Sequence, residues 1–198
     1  MVSKKEGKIH PVEPSNLNPN GKWIEVLDNN FFANPEWRSA VEWLNATKQP
    51  VNLHGVDVRI MNEEQAHALS TMRIKGNIHI AWDNPREDII PMVKDMLKYT
   101  NHNKIVCYVL IGYWSSIEQD LERVYKLREL GVRPFVQAYR DYDNERTPSQ
   151  YERDFMQYVN KRQIFMTCDF KDFRPRKDFS CKWYEDNKEL VNEQLKRK

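Results

Sequence analysis

The sequence lacks several features, and each absence narrows the reading. No apolar run approaches the roughly 18 residues of a membrane span, and no signal-peptide pattern opens the chain. The expectation is therefore a cytoplasmic protein with no membrane partner. Net charge is nearly absent too, because 31 Lys and Arg face 29 Asp and Glu and leave +2. Such a balance gives no broad electrostatic footprint for nucleic acid. Cysteine is scarce, with only Cys107, Cys168 and Cys181. An odd count in a chain read as unsecreted argues against a disulfide framework. No C-x-x-C pair or Cys/His cluster occurs, so the residues by themselves show no metal site. Cys107 lies inside an apolar run and is expected to be a small core residue.

What is present is enough chain for one sizeable core, 198 residues with mixed charge and many aromatics. Residues 1–22 are polar and turn-rich and read as an N-terminal arm. A repeating unit then begins. WIEVLD reads as a strand and NPEWRSAVEWLNATK as a helix, with Asn34 as N-cap, Pro35 at the first helical position, and Trp37, Val41 and Leu44 on one face. VNLHGVDVRI is the next strand, and NEEQAHALSTM a helix with Asn62 as cap and Gln65 three residues later. NIHIAWD and a helix within PREDIIPMVKDMLKYT follow, with Pro85 and Pro91 both able to mark its first turn. KIVCYVLIG leads to SSIEQDLERVYKLRELG, whose Ile117, Leu121, Val124 and Leu127 point inward and whose terminator is Gly131. RPFVQAYR precedes a helix from Pro148, capped by Thr147. The remainder, QIFMTCDFKDF and KWYEDNKELVNEQLKRK, reads as helical.

Five alternations of strand and helix are the signature of βαβ units, hence of parallel strands with right-handed crossovers. The sequence predicts strands beginning near Trp23, Asn52, Asn77, Lys104 and Pro134, in one curved open sheet in that order, with helices on its convex side. Residues 23–175 form the barrel portion of this reading and 176–198 a C-terminal helical tail.

In parallel α/β folds ligands bind beyond the carboxyl ends of the strands. Those ends carry Asp28, Asn29 and Asn30; Asp57 and Arg59; Asp83 and Asn84; Gly112 and Tyr113; Gln137, Tyr139 and Arg140. One polar strand end is ordinary loop chemistry, and five on one rim point to a small-molecule site. Asp57 and Arg59 have a simpler alternative, pairing with each other. Glu118 and Asp120 suit the first turn of a helix, where the dipole favours acids. His54 and His79, within strands, are expected to be hydrogen-bonded core residues.

SKKEGKI, LDNNFFANP, HGVDVRI, IAWDNP, YVLIGY followed by DLERV, and LGVRPFVQAYR occur in that order from Ser3 to about Phe173. With this ordered set the chain resembles the radical S-adenosylmethionine (radical SAM) superfamily, particularly a poorly characterised branch of it. The resemblance implies a partial (β/α) TIM-like barrel. In the family, a C-x-x-x-C-x-x-C loop after the first strand holds a 4Fe-4S cluster, which cleaves SAM reductively to a 5′-deoxyadenosyl radical. This sequence has no such motif. In relatives a segment like KKEGKI follows the third cysteine, so the resemblance implies a chain starting past the cluster loop, with the first strand missing. It would be inactive alone, with SAM and the cluster belonging to the complete protein.

By the same resemblance Asp28, Asn29 and Asn30 meet the SAM amino group, where a Gly-Gly-Glu-like turn is more usual. Asp83 or Asn84 meets the ribose, and Ile111, Gly112, Val136, Gln137 and Tyr139 border the adenine. An Asp that accepts from ribose hydroxyls fixes orientation by charge-assisted hydrogen bonds. The missing strand would leave WIEVLD with an open edge. The implied partners there are the cluster-bearing segment, the arm from Lys4 to Asn20, or a second copy of the chain. Two alternatives stand beside this reading: a non-catalytic binding or scaffold domain derived from the same fold, and an unrelated barrel hydrolase or lyase using Asp28, Asp57 and Asp83 for metal or acid–base work.

Overall fold

The computed structural model describes residues 18–28, 30–141, 143 and 145–196. Asn29 and most of the proposed arm therefore lie outside the described residues. The chain divides into two compact units, Met1–Ile80 with Pro91–Ile105, and Ala81–Ile90 with Val106–Lys198.

In the first unit β1 (Ile24–Val26) pairs in parallel with β2 (Val51–Leu53), Glu25 standing opposite Asn52. Alternation sends Ile24, Val51 and Leu53 into the core and leaves Glu25 exposed on the other face. A 3₁₀ turn, Phe31–Ala33, buries both phenylalanines, and Phe32 meets Trp37 edge to face at 5.4 Å. Helix α1 (Trp37–Ala46) buries Trp37, Val41 and Leu44, the predicted face. Asn34 does not cap it, however. Its Oδ1 accepts the Glu36 amide at 2.9 Å, closing a turn before the helix starts. Helix α2 (Glu63–Thr71) carries the expected capping box: Asn62 Oδ1 accepts the Gln65 amide and Gln65 Oε1 accepts the Asn62 amide, both at 2.9 Å. Asn62→Ala is expected to cost about 1 kcal/mol, read as a lower urea midpoint at unchanged slope.

The strand β3 (Ile78–Trp82) crosses between the units, and α3 (Ile90–Leu97) starts where Asp88 Oδ1 accepts the Ile90 amide, with Pro91 in its first turn. In the second unit β4 (Ile105–Ile111) pairs in parallel with β5 (Arg133–Ala138), from Val106 opposite Arg133 to Ile111 opposite Ala138. Cys107, Val109 and Ile111 are fully buried on one face, as expected for Cys107, while Tyr108 and Leu110 are half-buried on the other. Helix α4 (Ile117–Glu129) turns Ile117, Val124 and Leu127 inward, with Leu121 half-buried, and ends before Gly131 at φ +71°. Helix α5 (Gln150–Asn160) packs on β5 and is capped by Ser149, two residues later than the predicted Thr147. The Asn160 side chain closes the free edge of β5, accepting the Val136 amide at 2.8 Å and donating to the Val136 carbonyl at 3.0 Å. Helices α6 (Arg162–Thr167), α7 (Lys182–Asp186) and α8 (Lys188–Lys196) complete the unit, and Asn192 of α8 accepts the otherwise orphaned Ile117 amide of α4 at 3.0 Å.

All five strands stand where predicted, without interleaving, but the expected single curved sheet is two sheets, β1–β2 and β3–β4–β5, and among the described residues no closed barrel forms. The cause lies in VNLHGVDVRI, where only Val51–Leu53 stays in strand conformation. On the side away from β1, a single bridge from Val51 to Ile74 and, past Leu53, a hydrogen bond from the Val56 amide to the His79 carbonyl, 3.1 Å, stand in place of a continuous ladder.

Candidate functional site

The predicted site residues fall into groups that the structure treats differently. At the carboxyl ends of β4 and β5, one side chain organises the backbone. Arg146 donates through Nη1 to the Tyr139 carbonyl and through Nη2 to the Gly112 carbonyl, 2.7 Å, while pairing with Glu152 Oε1 at 2.8 Å. Arg146 and Glu152 are almost wholly buried. The other Glu152 oxygen accepts the Ser149 amide at 2.6 Å and completes the cap of α5. Thus two strand ends and one helix start share a single ion pair. Gly112, at φ +76°, lies directly against it. This gives Gly112 a structural task, since only a residue without Cβ leaves room for the Glu152 carboxylate.

Beside this clamp, a cleft of 430 Å³ opens along β5, lined by Val136, Gln137, Tyr139, Arg140, Pro148 and Met156 among others. Three residues that the resemblance assigns to adenine therefore share one cleft. Val136 contributes from a buried position, whereas Gln137 is exposed. Ile111 is fully buried and holds β5 in place by accepting the Tyr139 amide at 2.9 Å. The Tyr139 ring continues into an aromatic platform, with Tyr113 at 4.3 Å between centroids and Trp114 at 4.2 Å from Tyr113. Tyr113 and Trp114 are 47% and 58% exposed, so half of this π surface faces water. The Tyr139 hydroxyl is pushed above its ordinary pKa by desolvation, with Asp141 and Tyr113 adding to the shift, and stays a neutral donor. Chemically, the arrangement offers stacking surface for a flat ring and an amide, Gln137, for its polar edge.

Asp83 and Asn84 follow β3 in the same unit. Asn84 is occupied by its own turn: Oδ1 accepts the Arg86 amide at 3.0 Å and Nδ2 donates to Glu87 at 3.1 Å. Asp83 is exposed. In the first unit Asp28 accepts the Asn30 amide at 2.8 Å, and Asn30 Oδ1 accepts the Asp57 amide at 3.4 Å, so these residues tie two strand ends together. Asp57 pairs with Arg59 through Nε and Nη2, each at 2.8 Å, the simpler of its two readings.

The same unit holds a cluster that the sequence reading did not assemble. Glu25 Oε2 accepts from Asn52 at 2.7 Å and lies 2.8 Å from His54 Nε2, while the Trp23 indole donates to Oε1 at 2.5 Å. The hydrogen bonds from His54, then Asn52 and Trp23, hold the Glu25 carboxyl below its usual range. The expectation of a buried His54 is thereby corrected, since its side chain is 45% exposed on the face opposite the core. His79 is half-buried, and burial, then the charge of His54, push its pKa down. The available signal was periodicity: Glu25 sits opposite Asn52, and His54, two residues further on, shares the face of Asn52.

Cys107 and Cys181 do not suit an iron–sulfur cluster, which binds thiolates. Cys107 and Cys181 are fully buried, and burial raises both, Cys181 to about 12. Among the described residues no group of three or more His, Cys, Asp or Glu side chains is placed to hold a metal ion, and no helix is long and apolar enough to cross a membrane. No family profile, curated protein or solved structure matches this chain.

Proposed function

We propose that this chain is a SAM-binding portion of a radical SAM-type protein, a partial (β/α) barrel whose strand ends position the cofactor. The observation that carries the reading is the cleft shared by Val136, Gln137 and Tyr139, continuous with the Tyr113–Trp114 platform. The adenine of SAM stacks on this surface and meets the Gln137 amide with its polar edge. Asp83 or Asn84, which follow β3 in the same unit, meets the ribose hydroxyls.

When bound, a 4Fe-4S cluster would supply the electron that cleaves SAM. The cysteines of this chain do not form its ligand set, so the proposal assigns cofactor positioning to this chain and the cluster to another segment. The partner surface under this reading is the outer edge of β1. Its occupant is the cluster-bearing segment or a second copy of the chain.

Titration calorimetry with SAM, S-adenosylhomocysteine and adenosine tests the proposal. Saturable binding of all three is expected, and Tyr139→Ala should weaken each about tenfold or more, as loss of a base–aromatic stack does. Gln137→Ala should weaken adenosine without unfolding the chain, because Gln137 is exposed. Equal affinity of parent and Tyr139→Ala for adenosine, or no binding at millimolar ligand, overturns the assignment.

A further inference from the structure

A second cavity lies in the C-terminal part of the second unit, away from the strand-end cleft in its lining residues. It measures 270 Å³ and is walled by Phe179, Trp183 and Tyr184 with Val191 and Leu195 of α8. That volume is just below the range typical of small-molecule sites, about 300–1,000 Å³, and limits an occupant to roughly one ring. Among these apolar walls stands one cation, Arg176. Its position is set by a buried carboxylate. Asp154, 3% exposed on its side chain, accepts Arg176 Nη1 on both oxygens at 2.9 Å. The same carboxylate accepts the Tyr184 hydroxyl at 2.7 Å and the Gln150 amide at 2.8 Å. The acceptor capacity of Asp154 is therefore divided among three side chains that also line the cavity.

The guanidinium is not used up by this contact. Asp154 accepts from Nη1 and the Tyr184 hydroxyl interacts with the same guanidinium, whose remaining donor edge is left towards solvent. The Arg176 side chain is 42% exposed, and its Cζ lies 4.3 Å over the Phe179 ring. A rigid guanidinium with one open edge is the geometry that takes a carboxylate through two parallel N–H donors. Flanking aromatic rings take an apolar group attached to that carboxylate. Trp183, 44% exposed, forms part of the wall without being needed to fill the core. Gln150 and Ser149 bring the start of α5 to the same cavity, which adds a weaker field favouring negative charge.

We propose that this cavity is a binding site for a small aromatic monocarboxylate, whose carboxylate pairs with the open edge of Arg176 while its ring lies against Phe179 and Trp183. The proposal is independent of SAM binding, because none of these residues lines the cleft along β5. Trp183 sits in the wall, so occupancy can be read from tryptophan fluorescence excited at a wavelength where a phenyl ring is transparent. The probes are 3-phenylpropionate, its uncharged isostere 3-phenylpropanamide, and acetate. A saturable change with 3-phenylpropionate is expected, with affinity for the amide and for acetate each about tenfold or more weaker. Arg176→Gln should abolish the preference of acid over amide.

Arg176→Gln also removes a partner from Asp154, so a second variant guards the test against misfolding. Gln194→Trp, at an exposed position on the cavity rim, should fill the space and lower affinity for acid and amide together. Its fluorescence differs from the parent's, so calorimetry reads that variant. Equal binding of acid and amide to the parent, unchanged acid binding by Gln194→Trp, or no response to millimolar 3-phenylpropionate overturns the proposal.

Discussion

Replacing Gly112 by alanine should lower the stability of the second unit by about 3–5 kcal/mol, the usual cost of breaking a buried ion pair. Two effects act together. Gly112 has φ +76°, where a Cβ costs about 1–2 kcal/mol. The added methyl would also fall on the Glu152 Oε1 atom and within 2.7 Å of Arg146 Nη2. Neither partner has a cheap escape. Glu152 is fully buried and holds the amide of Ser149, the cap of α5, as well as Arg146, and Arg146 holds the carbonyls of Gly112 and Tyr139, which directly follow β4 and β5. Displacing either one uncouples three elements at once. A melting point lower by roughly 6–20 °C corresponds to that cost for a chain of this size. The double variant Gly112→Ala with Glu152→Ala should cost much less than the two single variants added together, because removing the carboxylate relieves the overlap. A Gly112→Ala protein within about 1 kcal/mol of the parent, roughly 0.7 of a decade in the folding constant, would mean that the clamp does not organise the strand ends. Because the clamp borders the cleft, the variant should also lose adenosine affinity under conditions where it remains folded.

That clamp marks the limit of what the sequence discloses. The strands and helices were legible because local periodicity specifies them: Trp37, Val41 and Leu44 repeat on one helical face, and the Asn62–Gln65 box announces its own helix start. Arg146 was not legible. It stands in the charged run RDYDNERT, which reads as a solvated loop, yet its partners are a glycine 34 positions earlier and a glutamate six positions later. Only tertiary structure brings the three together. The division of the sheet was hidden for a similar reason. Alternation in VNLHGVDVRI favours a long strand, but whether hydrogen bonding continues past Leu53 depends on the neighbouring backbone, which turns to Ile74 and His79 instead. Caps failed where competing residues lay close by. Asn34 and Thr147 are good capping residues, but a turn intervenes after Asn34, and Ser149 takes the capping position beyond Thr147. Of the site, Val136, Gln137 and Tyr139 were legible as strand-end neighbours, whereas the Tyr113–Trp114 platform follows a strand end that the sequence marks only as polar and glycine-containing.

Arg123→Met should be the most damaging substitution in α4, costing about 3–5 kcal/mol near neutral pH. Arg123 is 2% exposed and donates to the Trp82 carbonyl at 2.8 Å, the Leu110 carbonyl at 2.9 Å and Asp120 at 2.8 Å. It thereby joins the last residue of β3, β4 and its own helix inside a region closed to water. Methionine preserves much of the volume but leaves two carbonyls and a buried carboxylate without their donor. The size of the effect should depend on pH, with a sign that follows from Asp120. Burial pushes the Asp120 carboxyl up to about 6, against the opposing pull of Arg123 and the Ser115 and Tyr151 hydroxyls. A carboxyl whose folded pKa exceeds its unfolded value contributes stability that is present below the unfolded pKa and is lost as pH rises through the folded one. Without Arg123 that folded pKa climbs further, so the variant loses this contribution over a wider interval than the parent does. The gap between parent and variant should therefore be largest in alkaline solution and should narrow as pH falls towards 6, where the orphaned Asp120 takes up a proton. Urea titrations at several pH values between these limits measure the gap directly. A gap that is constant with pH, or that widens on acidification, would show that Asp120 does not depend on Arg123 for its charge.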